Sequence, residues 1–244
     1  MIDVHSHIIH GVDDGPSNIE QSIRMVREAE KLGISTIIAT PHYQENVYEA
    51  ERVEENYQEL LFRTSDYGVT VKLGYEVFVN PFEQNPLKNM KRLTLGRTKH
   101  VLLEFPFNAK PLLCIEAAKK LQNEGLIPII AHPERNRNFL NKLSDLVSFV
   151  KMGCLIQIDA GSITGVYGNR IKHYAKRLVE LNFADLVASN AHFSSDYTEW
   201  YIEAFKNVTD WSGNEYAHRL FTQNARGIMQ NVQETVQESI YKVI

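Results

Sequence analysis

Short apolar runs alternate with longer amphipathic stretches along the chain. Residues 2–5 form a short strand candidate. Over residues 19–32 the apolar positions Ile19, Ile23, Val26 and Ala29 recur at helical spacing, and Gly33 is a natural stop. Residues 34–40 are β-branched and apolar, as in a strand buried on both faces. The same reading gives helices at 48–67, 111–123, 139–152 and 169–181. It gives strands at 70–79, 101–105, 127–131, 154–158 and 184–189. Pro81 and Pro86 mark a loop, Pro111 opens a helix, and residues 196–243 read mainly helical.

Seven strand candidates separated by helices imply a parallel sheet. No low-complexity linker, charge block or fixed-period repeat divides the chain. The 244 residues are therefore expected to form one domain, 1–244, of α/β barrel type. A formal charge of −4 offers no basic field for nucleic acid. It leaves anionic substrates open, because bound cations reverse the local sign. No apolar run reaches the ~18 residues of a membrane span, and the start lacks a signal core. The expected location is the cytoplasm, without direct membrane insertion. Cys114 and Cys154, flanked by apolar residues, are expected as buried free thiols.

The chemistry lies in where strands end. His5-Ser6-His7 closes the first strand and Thr40-Pro41-His42 the second. Glu76 lies on the third and Glu104 near the end of the fourth. His132-Pro133-Glu134-Arg135 follows the fifth, and Asn190-Ala191-His192 the seventh. In a parallel barrel these ends converge on one face. His5 and His7, two apart in a strand, point to the same side and can reach one ion. Six imidazoles and carboxylates from separate strand ends would be costly to gather without cations. The mixed nitrogen and oxygen donors favour Zn²⁺, Mn²⁺ or Fe²⁺ over Ca²⁺ or Mg²⁺. Asp13 and Asp14 lie in a Gly/Pro turn after the first histidines. Such a turn favours these residues anyway, yet Asp14 is the expected ligand of the two. Arg135, on the loop leaving strand five, suits phosphate oxygens.

Other residues read more plainly. His10 lacks strand register, His100 precedes a strand, and His173 and His218 fall in helices. Arg137 reads as surface. Trp200, Tyr201 and Phe205 read as core.

Together these motifs resemble the polymerase and histidinol phosphatase superfamily. More narrowly, Ile2-Asp3-Val4-His5-Ser6-His7, Asp13-Asp14-Gly15-Pro16, Leu103-Glu104-Phe105-Pro106-Phe107 and the segment 128–138 are similar to the bacterial manganese-dependent protein-tyrosine phosphatases. The resemblance extends to about residue 193. It implies a distorted (β/α)7 barrel holding three divalent metals, manganese first, with iron or zinc as alternatives. It implies that His5, His7 and Glu76 bind one metal. Glu76, Glu104 and His132 would bind a second, and Asp14, His42 and His192 the third. Arg135 would hold the phosphate. The implied substrate is the phosphotyrosine tail of a cognate bacterial tyrosine kinase in capsule or exopolysaccharide synthesis. One position departs: Asn190 stands where the family has an aspartate ligand of the first metal. The amide keeps a carbonyl oxygen but loses the charge. A weaker first site is therefore expected.

The implied reaction is in-line attack by metal-activated water on a phosphotyrosine ester, with His42, His192 or a metal-bound water as proton donor. Neither cysteine heads a Cys-x5-Arg loop, so no thiol nucleophile is expected. Two rivals share the site: a histidinol-phosphate phosphatase, and a phosphotyrosine-binding protein whose turnover Asn190 reduces. A proofreading nuclease fits poorly, since the chain carries no basic runs.

Overall fold

Every strand ladder runs parallel, as the alternation of strand and helix requires. The computed structural model describes residues 1–44, 50–79, 90–141 and 143–230. The expected loop at Pro81 and Pro86, the first two residues of the expected second helix and the helical tail beyond 230 lie outside them. The strands are β1 (Ile2–Ser6), β2 (Thr36–Ala39), β3 (His42–Tyr43), β4 (Thr70–Leu73), β5 (Glu76–Phe78), β6 (His100–Glu104), β7 (Ile127–Ala131), β8 (Leu155–Asp159) and β9 (Leu186–Ala188). The helices between them are α1 (Ile19–Lys31), α2 (Ala50–Arg63), α3 (Pro111–Asn123), α4 (Leu143–Lys151), α5 (Ala160–Thr164) and α6 (Asn169–Glu180). After β9 come α7 (Ser194–Asp196), α8 (Ile202–Ser212), α9 (Asn214–His218) and α10 (Asn224–Met229), joined by wide helical turns.

Two sheets are formed, β1-β2-β4 and β3-β5-β6-β7-β8-β9. They are halves of one ring. Ala39 faces Leu73, and three residues on in each chain His42 faces Glu76, so the register runs unbroken from β2/β4 into β3/β5. The Gly74 and Glu76 amides donate to Ala39 O and Pro41 O across the join. The expected third strand, 70–79, is interrupted at Gly74-Tyr75, and the second, expected over 34–40, ends at Ala39, with β3 resuming after Pro41. Pro41 has no N–H to give the ladder. Gly74 yields to a plug: a Cβ there would lie 2.7 Å from Leu95 Cδ2 and 2.9 Å from its Cα. Only a residue without a side chain lets Leu95 enter the barrel floor beside Ile38. The ring closes between β9 and β1. Ser6 bridges Ala191 in parallel, Asn190 N–H donates to His5 O at 2.9 Å, and His7 N–H donates to Ala191 O at 2.8 Å. The expected distorted seven-stranded barrel is what forms. The expected helix over 139–152 starts late, as a tight turn at Phe139–Asn141 before α4.

Packing follows the two-residue period of the strands. One face points inward, and Ile2, Val4, Ile38, Leu102, Ile129, Leu186 and Ala188 fill the floor with Leu95, Ala225 and Ile228. The other face, with Ile37, Val77, Leu103, Ile130, Ile156, Ile158 and Val187, packs against the helices. Asn18 caps α1, its side chain accepting from the Gln21 amide at 3.1 Å. Tyr201 is buried in this outer layer, with Trp200 and Phe205 packed against it.

Candidate metal centre

The inward column of each strand turns from apolar to polar as it nears the C-terminal mouth. Leu102 lies in the floor and Glu104 two residues above it. Leu155, Gln157 and Asp159 repeat this on β8, and Leu186, Ala188 and Asn190 on β9. On β1 a bulge changes the parity. Asp3 faces Ile37 and Ser6 faces Ala39, so β1 carries one extra residue between them. Bulges re-aim side chains. Here Val4 packs into the floor while its neighbour His5 turns to the mouth.

At the mouth the donors meet. His5 Nε2 and His7 Nε2 lie 3.3 Å apart, and each is 3.3 Å from Glu76 Oε2. The other oxygen, Glu76 Oε1, is 2.8 Å from His132 Nε2. His42 Nδ1 lies 3.1 Å from Glu76 Oε2 and 3.8 Å from Glu104 Oε2. Asp14 Oδ1 reaches His192 Nε2 at 3.2 Å and His42 Nε2 at 3.4 Å. His5, His7, Glu76 and His132 are buried, whereas Asp14 stands 68% exposed at the entrance. The far nitrogens are held. His5 Nδ1 meets Gln157 Oε1 at 3.1 Å, His7 Nδ1 meets Asp13 Oδ2 at 2.8 Å, and His192 Nδ1 meets Asn190 O at 3.0 Å. This is how proteins fix imidazoles whose near nitrogens bind metals.

Among the described residues, four sets of ligand atoms lie close enough to share an ion: His5, His7 and Glu76; His7, Asp14, His42 and His192; His42, Glu76 and Glu104; and His5, His132 and Asp159. The first matches one implied set. The second contains another, with His7 added. In the implied Glu76, Glu104 and His132 set, Glu76 touches His132, while Glu104 groups with His42 and Glu76.

The electrostatics call for positive charge. Burial would lower the His42 pKa, but Asp14 and Glu76 push it up to about 11. Burial likewise opposes His132, which Asp159 and Glu76 push up to about 9. Burial would raise Glu76, and His5 and His132 hold it low. Glu104 is raised, by burial and then by Glu76. These carboxylates draw protons onto imidazoles, a charge that divalent cations would supply instead. Asn190 Oδ1 is also buried without a partner. The donor set fits metal ions.

Arg135 is clamped beside the cluster. Its guanidinium lies 4.9 Å over the Phe107 ring and 4.3 Å over the Tyr167 ring, and Nη1 donates to Asp159 Oδ2 at 3.0 Å. Phe107 and Phe193 stay 44% and 56% exposed beside His132 and His192.

The remaining histidines lie elsewhere. His10 pairs with Glu59 at 3.3 Å. His100 begins β6 and is buried rather than solvated, bonded to Thr98 Oγ1. Burial pushes it down to about 4. His173 and His218 are exposed on helices, as is Arg137 on its loop. Both thiols are free and buried, and burial pushes each up to about 12.

Sequence reasoning missed Asp159 and Gln157. The sixth strand was expected to stop at Ile158, one residue short of its carboxylate. Asp13 was a turn residue in that reading, but it orients His7 and accepts from the His42 amide at 3.1 Å. His132 and Asn190 adopt left-handed backbone, φ 34° and 49°, which no strand pattern announces.

The family model described as "Capsular polysaccharide synthesis, CpsB/CapC" matches residues 1–230. The tyrosine-protein phosphatase YwqE of Bacillus subtilis is 37% identical over 235 residues, covering 95% of this chain and 92% of YwqE. The tyrosine-protein phosphatase CpsB of Streptococcus agalactiae is 28% identical, covering 95% and 99%. A solved structure from the pair "YwqE from Bacillus subtilis and CpsB from Streptococcus pneumoniae, unique metal-dependent tyrosine phosphatases" superimposes with TM-score 0.85 at 36% identity, covering 95% of each chain. Histidinol phosphate phosphatase of Lactococcus lactis shares the fold, with TM-score 0.56 at 12% identity.

Proposed function

The chain belongs to the CpsB/CapC capsular polysaccharide synthesis family, and on that premise we propose that it is a metal-dependent protein-tyrosine phosphatase. The observation that supports this most directly is Glu76, one buried carboxylate touching His5, His7, His42 and His132. A single carboxylate among imidazoles on every side suits a group bridging neighbouring cations.

The ligand assignment that fits is His5, His7 and Glu76 for one ion. Glu76, Glu104 and His132 serve a second, and Asp14, His42 and His192 a third. Manganese is the expected metal. Bound there, the cations would activate water and polarise the phosphoryl group. The side chains do the rest. Arg135, held by two rings and a carboxylate, offers its remaining donors to the phosphoryl oxygens. His42 and His192, the more exposed imidazoles, sit at the entrance, where as ligands they would place a cation-bound water to give the leaving phenol its proton. Phe107 and Phe193 give the rim an apolar character suited to the aryl ring of phosphotyrosine. The partner that fits is the phosphotyrosine tail of a cognate bacterial tyrosine kinase acting in capsule or exopolysaccharide synthesis. No helix among the described residues is long and apolar enough to cross a membrane.

The test uses chelator-stripped protein refilled with Mn²⁺ and assayed on a phosphotyrosine peptide beside histidinol phosphate. Metal-dependent turnover of the peptide is expected, unchanged in a Cys114→Ser, Cys154→Ser variant. Preference for histidinol phosphate would overturn the substrate. Activity that survives chelation but dies with the thiols would overturn the chemistry.

A further inference from the structure

Asp159 is a buried carboxylate that stands outside the three ligand sets assigned above. It ends β8, in the inward column of Leu155 and Gln157, and is fully buried. Its neighbour across the β8–β9 ladder is Ala188, which places Asn190 two residues further along β9. There Asn190 Nδ2 donates to Asp159 Oδ2 at 3.1 Å. The amide at position 190 is thus bonded to a carboxylate on the adjoining strand. Asp159 also has an oxygen within 4.8 Å of donor nitrogens on His5 and His132, one from each flank of Glu76.

Two further observations bear on what this carboxylate does. Asn190 spends its N–H on Asp159 and leaves Oδ1 buried and unpartnered. The position therefore presents no charge to the cluster, only an amide oxygen. Asp159 is meanwhile held from several sides: Arg135 Nη1 on Oδ2 at 3.0 Å and Gln157 Nε2 on Oδ1 at 2.9 Å. Gln157 in turn steadies His5 Nδ1 at 3.1 Å. A carboxylate accepts at about four lone-pair sites, so these bonds leave room for an ion. Fixing a carboxylate by bonds to its remaining lone pairs is how ligating carboxylates are held.

Resting on the metal-centre reading above, we propose that Asp159 supplies a second anionic ligand, beside Glu76, to the cation that His5 holds in this chain, where residue 190 offers only an amide. The carboxylate stands on β8, one ladder step from residue 190 on β9, and Asn190 is its hydrogen-bond donor. It supplies the charge that residue 190 lacks, so the weakening expected from Asn190 alone is offset. The competing role for Asp159 is to anchor Arg135 without touching metal.

Metal binding separates the two. Chelator-stripped protein is titrated with Mn²⁺ by calorimetry, and bound metal is counted by mass spectrometry after dialysis. The wild type, Asp159→Asn, and the exchange variant Asp159→Asn, Asn190→Asp are compared. Asp159→Asn is expected to lose one equivalent or bind it at least tenfold more weakly. The exchange variant is expected to recover it. Full stoichiometry at unchanged affinity in Asp159→Asn, with only the KM for phosphotyrosine peptide raised, would overturn the proposal and leave Asp159 as an anchor for Arg135. Should Asp159→Asn fail to fold, a manganese-soaked crystal of the wild type decides. An Asp159 oxygen within ~2.0–2.3 Å of a manganese ion supports the proposal, and one beyond hydrogen-bond range overturns it. A wild type that binds no Mn²⁺ would instead sink the metal-centre reading itself.

Discussion

At the scale of the residue, Arg135 shows how a side chain is specified by more than its charge. Rings lie over its guanidinium at 4.9 and 4.3 Å, and Asp159 takes one N–H. The planar group fits a slot between Phe107 and Tyr167, where an ammonium would not stack. Its remaining donors can address two phosphoryl oxygens together. Arg135→Lys keeps the charge but loses the fork and the stack. Removing one preorganised donor to developing charge typically costs ~10²–10³ in turnover. Arg135→Lys is therefore expected to lower kcat/KM on a phosphotyrosine peptide by at least about tenfold, with metal content unchanged. Steady-state kinetics beside a metal count check this. A lysine variant as active as the wild type would mean that Arg135 supplies only charge.

Elements decide which residues could be foreseen. Histidines and carboxylates at strand ends were legible because parallel strands all deliver their C-terminal ends to one mouth. His5 and His7 were paired by the two-residue period, although in the structure a β-bulge turns His5 inward, and no pattern of residue types marks that bulge. Asp159 escaped because a one-residue error in a strand boundary hides a terminal side chain. The interruption at Gly74-Tyr75 escaped because it depends on a plug, Leu95, that arrives from a distant turn. Asp185 is a further case. As residue types alone it is a polar residue opening β9. In the fold it is buried under α9 and α10, accepting from the Ile156 amide at 2.8 Å, while Asn224 and Tyr216 bond the neighbouring backbone. Burial raises its pKa to about 7, against the Ile156 bond, which lowers it. The folded state therefore holds this proton more tightly than the unfolded chain, whose value is 3.8. Between about pH 4 and pH 7 the folded protein binds more protons, so stability falls as pH rises through that window. Asp185→Asn removes the titration and keeps an acceptor for Ile156. Urea unfolding in excess chelator at pH 5 and pH 8 is expected to show a smaller loss in the variant, by an amount on the order of 2 kcal/mol. An equal loss in both proteins would mean that Asp185 is already ionised in the folded state at pH 5.

For the molecule as a whole, the weak place is the seam where the ring closes. The β6–β7 ladder pairs His100 through Leu103 with Ile127 through Ile130. Between β1 and β9 there is one bridge, Ser6 with Ala191, and two flanking backbone bonds. Side chains make up part of the difference. Asp3 accepts from Ser189 N–H at 2.9 Å, Ser189 Oγ at 2.6 Å and Tyr197 Oη at 2.9 Å. The candidate ligands also come from both sides of the seam: His5 lies in β1 and His7 just after it, and Asn190 and His192 follow β9. His7 and His192 stack with ring centres 4.0 Å apart, straddling the join. Cations shared by such residues would fasten the barrel as well as work at its mouth. Binding only to the folded state stabilises by about 2.7 kcal/mol at a hundred times Kd. Thermal unfolding should therefore shift upward with Mn²⁺ concentration and downward on chelation. The location of the effect is the sharper expectation. In hydrogen exchange, chelation should speed the His7 and Asn190 amides, which bond across the seam, far more than the amides between β6 and β7. A uniform increase across all strands would mean that the ions stabilise the barrel without fastening its closure. No change at the seam, with Mn²⁺ demonstrably bound, would show that side chains such as Asp3 hold the ring shut by themselves.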